Sequence, residues 1–304
     1  MRVELVKPRN IAVLCSLLGY SRQCYYQRLK EKEAESFKTD LLLQEVTQIR
    51  QRQPRVGCRK LQVMLQGFAH QHSIEAGRDK LFGILRNAGL LIRRRRSKKP
   101  QTTWSYHWLR KYPNLVEGFI PNAAGQLWVS DITYICIKED FGYLSLITDA
   151  YSRKIVGYCL SKYLTATGCV KALQMALQSK SGREGLIHHS DRGVQYCCHD
   201  YISLLNKELI GISMTQDGNP LHNAIAERVN GILKAELLQT RYDNFNEATE
   251  CISKAITTYN NERLHSSINM LTPNQAHHLN GDIKRLWKNY YPKRKEVPAE
   301  ATSL

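Results

Sequence analysis

Leu127-Trp128-Val129-Ser130-Asp131-Ile132-Thr133-Tyr134-Ile135-Cys136-Ile137 is the stretch on which the fold turns. Its side chains are β-branched, aromatic and apolar, the types that pack on a pleated surface, so it is expected to be a strand. One acid sits in its middle. A carboxylate inside an apolar strand is costly unless it has a partner, so Asp131 calls for a role as well as a position.

Working outward, Tyr143 to Thr148 and Ile155 to Leu160 continue as two more strands, hairpin-connected to the first. Thr165 to Gln178 has helical spacing through Val170, Leu173 and Leu177. Gly185 to His189 is a fourth strand ending at Ser190-Asp191, Tyr201 to Lys207 is helical, Ile210 to Met214 is a short fifth strand, and His222 to Leu238 is expected to be one long helix. The order βββαβαβα implies an α/β fold, a mixed five-stranded sheet with flanking helices. If the first and fourth strands are neighbours, Asp131 and Asp191 come together, and the last helix can bring Glu227 across the sheet edge. Three clustered carboxylates repel one another unless cations fill the gap, and Mg²⁺ suits an all-oxygen donor set that shares phosphate oxygens with a substrate. On the last helix Ile225, Val229 and Ile232 form one stripe. Glu227 and Lys234 align within roughly 20° on the opposite side, about 10 Å apart, as a metal site with DNA phosphate beside it would require.

The chain has 304 residues with 42% hydrophobic content, enough for a real core and for roughly two domains. It carries 44 Lys+Arg against 27 Asp+Glu, net +17, and the excess is concentrated: residues 1–110 account for +15 and residues 111–304 for +2. A basic segment ahead of a near-neutral body implies a polyanion-binding module joined to a different kind of domain. Within it, Ile11 to Leu18 has helical spacing and stops at Gly19, and Ser21 can cap a second helix bearing Arg22, Gln23, Tyr25, Tyr26 and Arg28, a pattern matching a helix-turn-helix. Helices marked by Leu42, Val46 and Ile49, by Arg59 to Leu65, and by Arg78 to Asn87 before Gly89 form a second helical unit. Arg93-Arg94-Arg95-Arg96, with Lys98 and Lys99 close behind, is the densest charge run and is expected to be an extended linker tracking phosphates. The expected organisation is therefore a helix-turn-helix-like segment over 1–38, a helical DNA-binding domain over 39–92, a basic linker over 93–120, the α/β core over 121–285 and a tail over 286–304.

No apolar run is long enough for a transmembrane helix and no secretory signal is evident, so a cytoplasmic protein without membrane partners is expected. Nine irregularly spaced cysteines without a C-x-x-C fit a reducing compartment, and Cys197-Cys198 lacks the paired spacing of a zinc site.

Five segments taken in order resemble a known family. Trp128-Val-Ser-Asp131-Ile-Thr-Tyr134, His189-Ser-Asp191-Arg-Gly-Val-Gln-Tyr196 and His222-Asn-Ala-Ile-Ala-Glu227-Arg-Val-Asn-Gly-Ile-Leu-Lys234 resemble the catalytic core of bacterial insertion-sequence transposases of the OrfB type, relatives of retroviral integrases. Asp149 to Gly157 and Tyr259-Asn-Asn-Glu-Arg263-Leu-His265, with Thr272-Pro273, are similar to that family's strand turn and C-terminal signature. The acids fit a D, D, E pattern with 35 residues between Asp191 and Glu227. The resemblance implies an RNase H-like core in which Asp131, Asp191 and Glu227 are catalytic and hold two divalent ions, Mg²⁺ or Mn²⁺. These would drive cleavage at the element's ends and strand transfer into target DNA. It further implies DNA contacts from Lys234, Arg228, Asn230, Arg263 and His265, beside Arg93 to Arg96. Double-stranded DNA is the expected partner, bound by a homo-oligomer. An upstream-frame helix-turn-helix and coiled-coil protein, or a fusion with it, is the further partner implied. A catalytically inactive DNA-binding relic or repressor, and an RNase H-type nuclease, are the alternatives, separated from a transposase by metal-dependent turnover and by strand transfer.

Overall fold

The computed structural model describes residues 10–93, 107–138, 140–178, 185–216 and 223–286. The chain divides into two compact units, Met1–Arg94 and Arg95–Leu304.

The first unit is all-helical. Helix α1 (Ile11–Leu17) is capped by the Asn10 side chain and ends before Gly19, whose φ of +69° turns the chain. Helix α2 starts at the expected cap, with Ser21 Oγ accepting from the Cys24 N–H at 3.1 Å, but runs from Arg22 to Arg52. Nothing between those residues stops a helix: the segment has no Gly or Pro and is rich in Lys, Glu, Gln, Arg and Leu. The two short helices expected within 1–38 are thus one short and one long helix, and the 38/39 boundary falls inside α2. Pro54 ends it, because the residue before proline is driven out of the helical region. Helices α3 (Cys58–Met64), α4 (Gln66–Gln71) and α5 (Arg78–Asn87) then close over α2, burying Leu42, Val46, Leu61, Leu65, Leu81 and Leu85 in one core.

The second unit is built on a five-stranded sheet of order β3-β2-β1-β4-β5. Strands β1 (Leu127–Ile137), β2 (Asp140–Asp149) and β3 (Ile155–Ser161) form the expected antiparallel meander. Strands β4 (Ile187–Ser190) and β5 (Gly211–Met214) add in parallel on the other side of β1. Helices α6 (Ala166–Gln178), α7 (Val194–Cys197) and α8 (His199–Lys207) cover one face, burying Trp128, Leu173, Tyr201 and Met214. Helices α9 (Ala224–Ile232) and α10 (Phe245–Asn261) cover the other, burying Ile135, Leu144, Val229, Ile256 and Tyr259, and α11 (Pro273–His277) follows. This is the expected α/β architecture, a mixed five-stranded sheet with flanking helices. Close packing of α6 on β3 requires Gly157, where a Cβ would run into the carbonyl oxygen of Ala172.

Three expectations change. The helix expected over 222–238 is α9 followed by a π-helical turn, Leu233–Leu237. Residues 107–120, expected as linker, belong to the second unit: Leu109 and Tyr112 pack on its core, and the Met214 N–H donates to the Pro113 carbonyl at 3.2 Å, so this segment lies along β5. Helix α10 lies beyond the elements that periodicity had identified. No helix among the described residues is long and apolar enough to cross a membrane.

Candidate active site

Strand length creates the site. β1 has eleven residues and β4 four, and their parallel pairing runs only from Leu127 with Ile187 to Val129 with His189. Two residues further along each strand stand Asp131 and Asp191, level with each other at the point where β4 stops. Beyond it β1 has no β4 partner, and a small cavity opens along its edge, lined by Asp131, Ile132, Tyr134, Leu164, Asp191, Gly193 and Gln195. Its volume, about 20 Å³, admits little more than a water-sized particle.

The pairing that sets this level is locked from within. The buried His188 ring lies 2.6 Å from Ser130 Oγ and 2.8 Å from Tyr201 Oη, and burial pushes it down to about 3, so it stays neutral. His189 bonds Ser213 Oγ at 2.8 Å, tying β4 to β5, and Asn223 donates to the Ser130 carbonyl at 2.8 Å.

Alternation along β1 puts Asp131 on the face of Val129 and Ile135, the face against which α9 packs. There its Oδ2 accepts from Asn230 Nδ2 at 2.8 Å, and its Oδ1 from the Ile132 N–H at 2.9 Å. Burial, then the charge of Asp191, pushes the Asp131 carboxyl up to about 7. The two hydrogen bonds oppose that rise and Glu227 adds to it. Asp191 Oδ1 accepts from the Gly193 N–H at 3.0 Å, and a Cβ on Gly193 would press on that same oxygen.

Glu227 lies on the exposed side of α9, outside the cavity lining but within electrostatic reach of Asp131. Lys234 stands near Asp131 as well: burial lowers its pKa and Asp131 raises it. The π-helical turn carries it, adding a residue to the turn and re-aiming the side chains that follow α9. The helical face shared by Glu227 and Lys234 in the sequence is therefore realised with a change of pitch between them.

Other expected contacts lie elsewhere. Asn230, expected as a DNA contact, is 5% exposed and donates the hydrogen bond that holds Asp131. Arg263 is 3% exposed and makes a two-pronged pair with Glu236 at 2.8 and 2.9 Å. His265, 5% exposed, packs edge-on to Tyr259 at 5.0 Å. Both are buried in the fold. Their motif works as a clamp: Tyr259 Oη donates to the Arg153 carbonyl at 3.0 Å, while the Asn260 amide accepts from the Ile155 N–H at 3.0 Å and donates to its carbonyl at 2.9 Å. Arg228 is exposed on α9, and Arg93 is exposed in the first unit; Arg94, Arg95 and Arg96 lie outside the described residues. Asn223, Gly193, Gln195 and Tyr134 had not been singled out from the sequence as site residues.

Among the described residues no three His, Cys, Asp or Glu side chains are already gathered around a metal-sized space. The donor chemistry nevertheless fits a hard divalent ion. Two carboxylates line one cavity, and burial first, then the charge of Asp191 and, least, that of Glu227 on α9, raise Asp131, a cost that a cation would relieve. The nine cysteines are free thiols, Cys197 and Cys198 among them.

Residues 121–220 match the family described as "Integrase core domain", and residues 208–273 match a second family of the same description. The chain is similar to a 31 kDa protein of insertion element IS600 from Shigella sonnei, 36% identical over 266 residues, covering 86% of this chain and 96% of that one. It is similar to the transposase for insertion sequence element IS904 from Lactococcus lactis, 32% identical over 222 residues, covering 67% and 88%. Among solved structures, the HTLV-2 integrase catalytic core domain in complex with magnesium is 21% identical, with a TM-score of 0.40, covering 53% of this chain and all of that one.

Proposed function

Because the chain belongs to the insertion-sequence transposases with an integrase core domain, we propose that Asp131, Asp191 and Glu227 are its catalytic carboxylates. The enzyme is a DDE transposase, and DNA is its substrate. The observation that carries the assignment is that Asp131 and Asp191, each two residues past the last β1–β4 pair, line one cavity, with Glu227 on the helix whose Asn230 grips Asp131.

Asp131 and Asp191 would hold the ions from the sheet and Glu227 from α9. Two Mg²⁺ or Mn²⁺ ions, when bound, supply the Lewis acidity for in-line displacement at phosphorus. Asn230 fixes the rotamer of Asp131, and the Gly193 N–H fixes that of Asp191, so both carboxylates meet the substrate already oriented. Lys234 offers a cation to a DNA phosphate beside the acids, and Arg228 offers a second from the exposed side of α9. Arg93 to Arg96 add sequence-independent attraction along the backbone. We further propose that the chain acts as a homo-oligomer on element-end and target DNA, with an upstream-frame DNA-binding partner.

The test is cleavage and joining of DNA by the full chain with Mg²⁺ or Mn²⁺, compared among wild type and Asp131→Asn, Asp191→Asn and Glu227→Gln. Each variant should fold and lose at least about 10³-fold in rate, the scale of a lost transition-state charge stabilisation. Wild-type turnover by any of the three overturns its assignment, and metal-independent turnover overturns the mechanism.

A further inference from the structure

The cavity has a second wall that the metal chemistry leaves unused. Besides the two aspartates, Gly193 and Gln195, it is lined by Ile132, Leu164 and Tyr134. Tyr134 pairs across the sheet with Tyr143, and Phe141 lies diagonal to it. The rings stand edge to face, Tyr134 with Tyr143 at 5.1 Å and with Phe141 at 5.9 Å. None of the three belongs to a hydrophobic core cluster, and Phe141 is 45% exposed. On this face of the sheet α6, which starts at Ala166, brings Gly168 against Ser145 and against Ser161, the strand partner of Tyr143. Phe141 lies two residues beyond that contact along β2.

From this arrangement we infer that Tyr134, with Phe141 and Tyr143 behind it, forms a stacking platform for an unpaired base of the DNA strand whose phosphate lies at Asp131 and Asp191. The inference rests on the function proposed above, since it needs a strand crossing the acid pair. A phosphate gains nothing from an aromatic wall, whereas a base leaving its neighbours recovers on it the stacking it gives up, whatever its identity. Three residues of strand separate Asp131 from Tyr134, about 10 Å, so the platform meets a base within a few nucleotides of the reacting phosphate. Edge-to-face packing consumes one face of one ring at each contact, which leaves other faces for a base. The cavity itself is too small for a nucleotide, so the base lies across its mouth on the rings.

The test uses the full chain and a DNA duplex with a four-nucleotide single-stranded 3′ tail carrying 5-iodouracil, irradiated and mapped by mass spectrometry, beside a blunt duplex of the same sequence. The expected adduct is on Tyr134, Phe141 or Tyr143. Tyr134→Ala should abolish an adduct at that position and weaken tailed-duplex binding by about 5- to 150-fold, with blunt-duplex binding unchanged. Tyr134→Phe, which keeps the ring, should keep the affinity. Should Tyr134→Ala fail to fold, the wild-type adduct map and the Tyr134→Leu variant decide. An adduct confined to other segments, equal affinity of Tyr134→Ala for the tailed duplex, or a change only in its oligomeric state overturns the platform. Failures are separable: Asp191→Asn should keep the adduct while losing cleavage. Metal-dependent cleavage without the adduct sinks the platform alone, and the adduct without metal-dependent cleavage sinks the catalytic assignment alone.

Discussion

Replacing Asp131 by Asn should make the metal-free protein more stable at pH 8 and no more stable at pH 4. The folded carboxyl is held at about 7, against an ordinary value near 3.8, first by burial and then by Asp191. Between those two values the unfolded chain has released the proton while the folded chain retains it, so stability falls as pH rises through that window. Below it, both states are protonated and the contribution is fully present. About three pK units correspond to about 4 kcal/mol as a ceiling, which partial solvent access to the cavity reduces to on the order of 2–3. For a unit of this size that amounts to about 5–10 °C in Tm. The amide should fit, because Asn230 Oδ1 has no hydrogen-bond partner and its side chain can rotate to accept from the new NH₂ group. The assay is thermal unfolding in EDTA at pH 4, 6 and 8, repeated with Mg²⁺. Wild type should lose stability from pH 4 to 8 relative to the variant and recover it with Mg²⁺, by about 2.7 kcal/mol at a hundred times the Kd. An Asp131→Asn Tm equal to or below wild type at pH 8 in EDTA would refute the account of Asp131 as an uncompensated buried charge.

Other outcomes follow from the same geometry. Asn230→Ala removes the 2.8 Å bond to Asp131 Oδ2 and should raise the Mg²⁺ concentration for half-maximal cleavage by about 10- to 100-fold; an unchanged metal titration would mean the bond does not orient the carboxylate. Arg263→Met breaks the buried pair with Glu236 and should cost about 2–4 kcal/mol in urea unfolding, with DNA affinity of the folded fraction unaltered. Loss of affinity without loss of stability would restore Arg263 as a DNA contact. Neutralising Arg93 to Arg96 together should flatten the slope of log affinity against log salt by about 3–4, the release expected from four phosphate contacts. An unaltered slope would show that this run does not track the backbone.

The sheet was legible because its strands are rich in β-branched and aromatic residues, so each declares itself locally. The acids were legible for a related reason: Asp131 is conspicuous only because its neighbours are apolar. Where a residue's role depends on a distant partner, local pattern gave no purchase. Asn230 looks like any polar residue on a helix, and only the packing of α9 over β1 turns it toward Asp131. Arg263 has the charge of a DNA contact, but its guanidinium meets Glu236, which the π-helical turn brings to the start of the clamp. The length of α2 is not legible from its cap: Ser21 marks where the helix starts, while only a Gly or Pro marks where it ends, and none comes before Pro54.

The early stop of β4 has a consequence for how this protein tolerates change. Its working opening is not carved into a surface but is a gap left by a missing length of ribbon, and what keeps it open is that nothing continues the ladder past Ser190. A pair of valines inserted there would let the backbone zip onward along its longer neighbour and seal the notch, with every side chain of the core still in place. Such a protein would melt like its parent and do nothing.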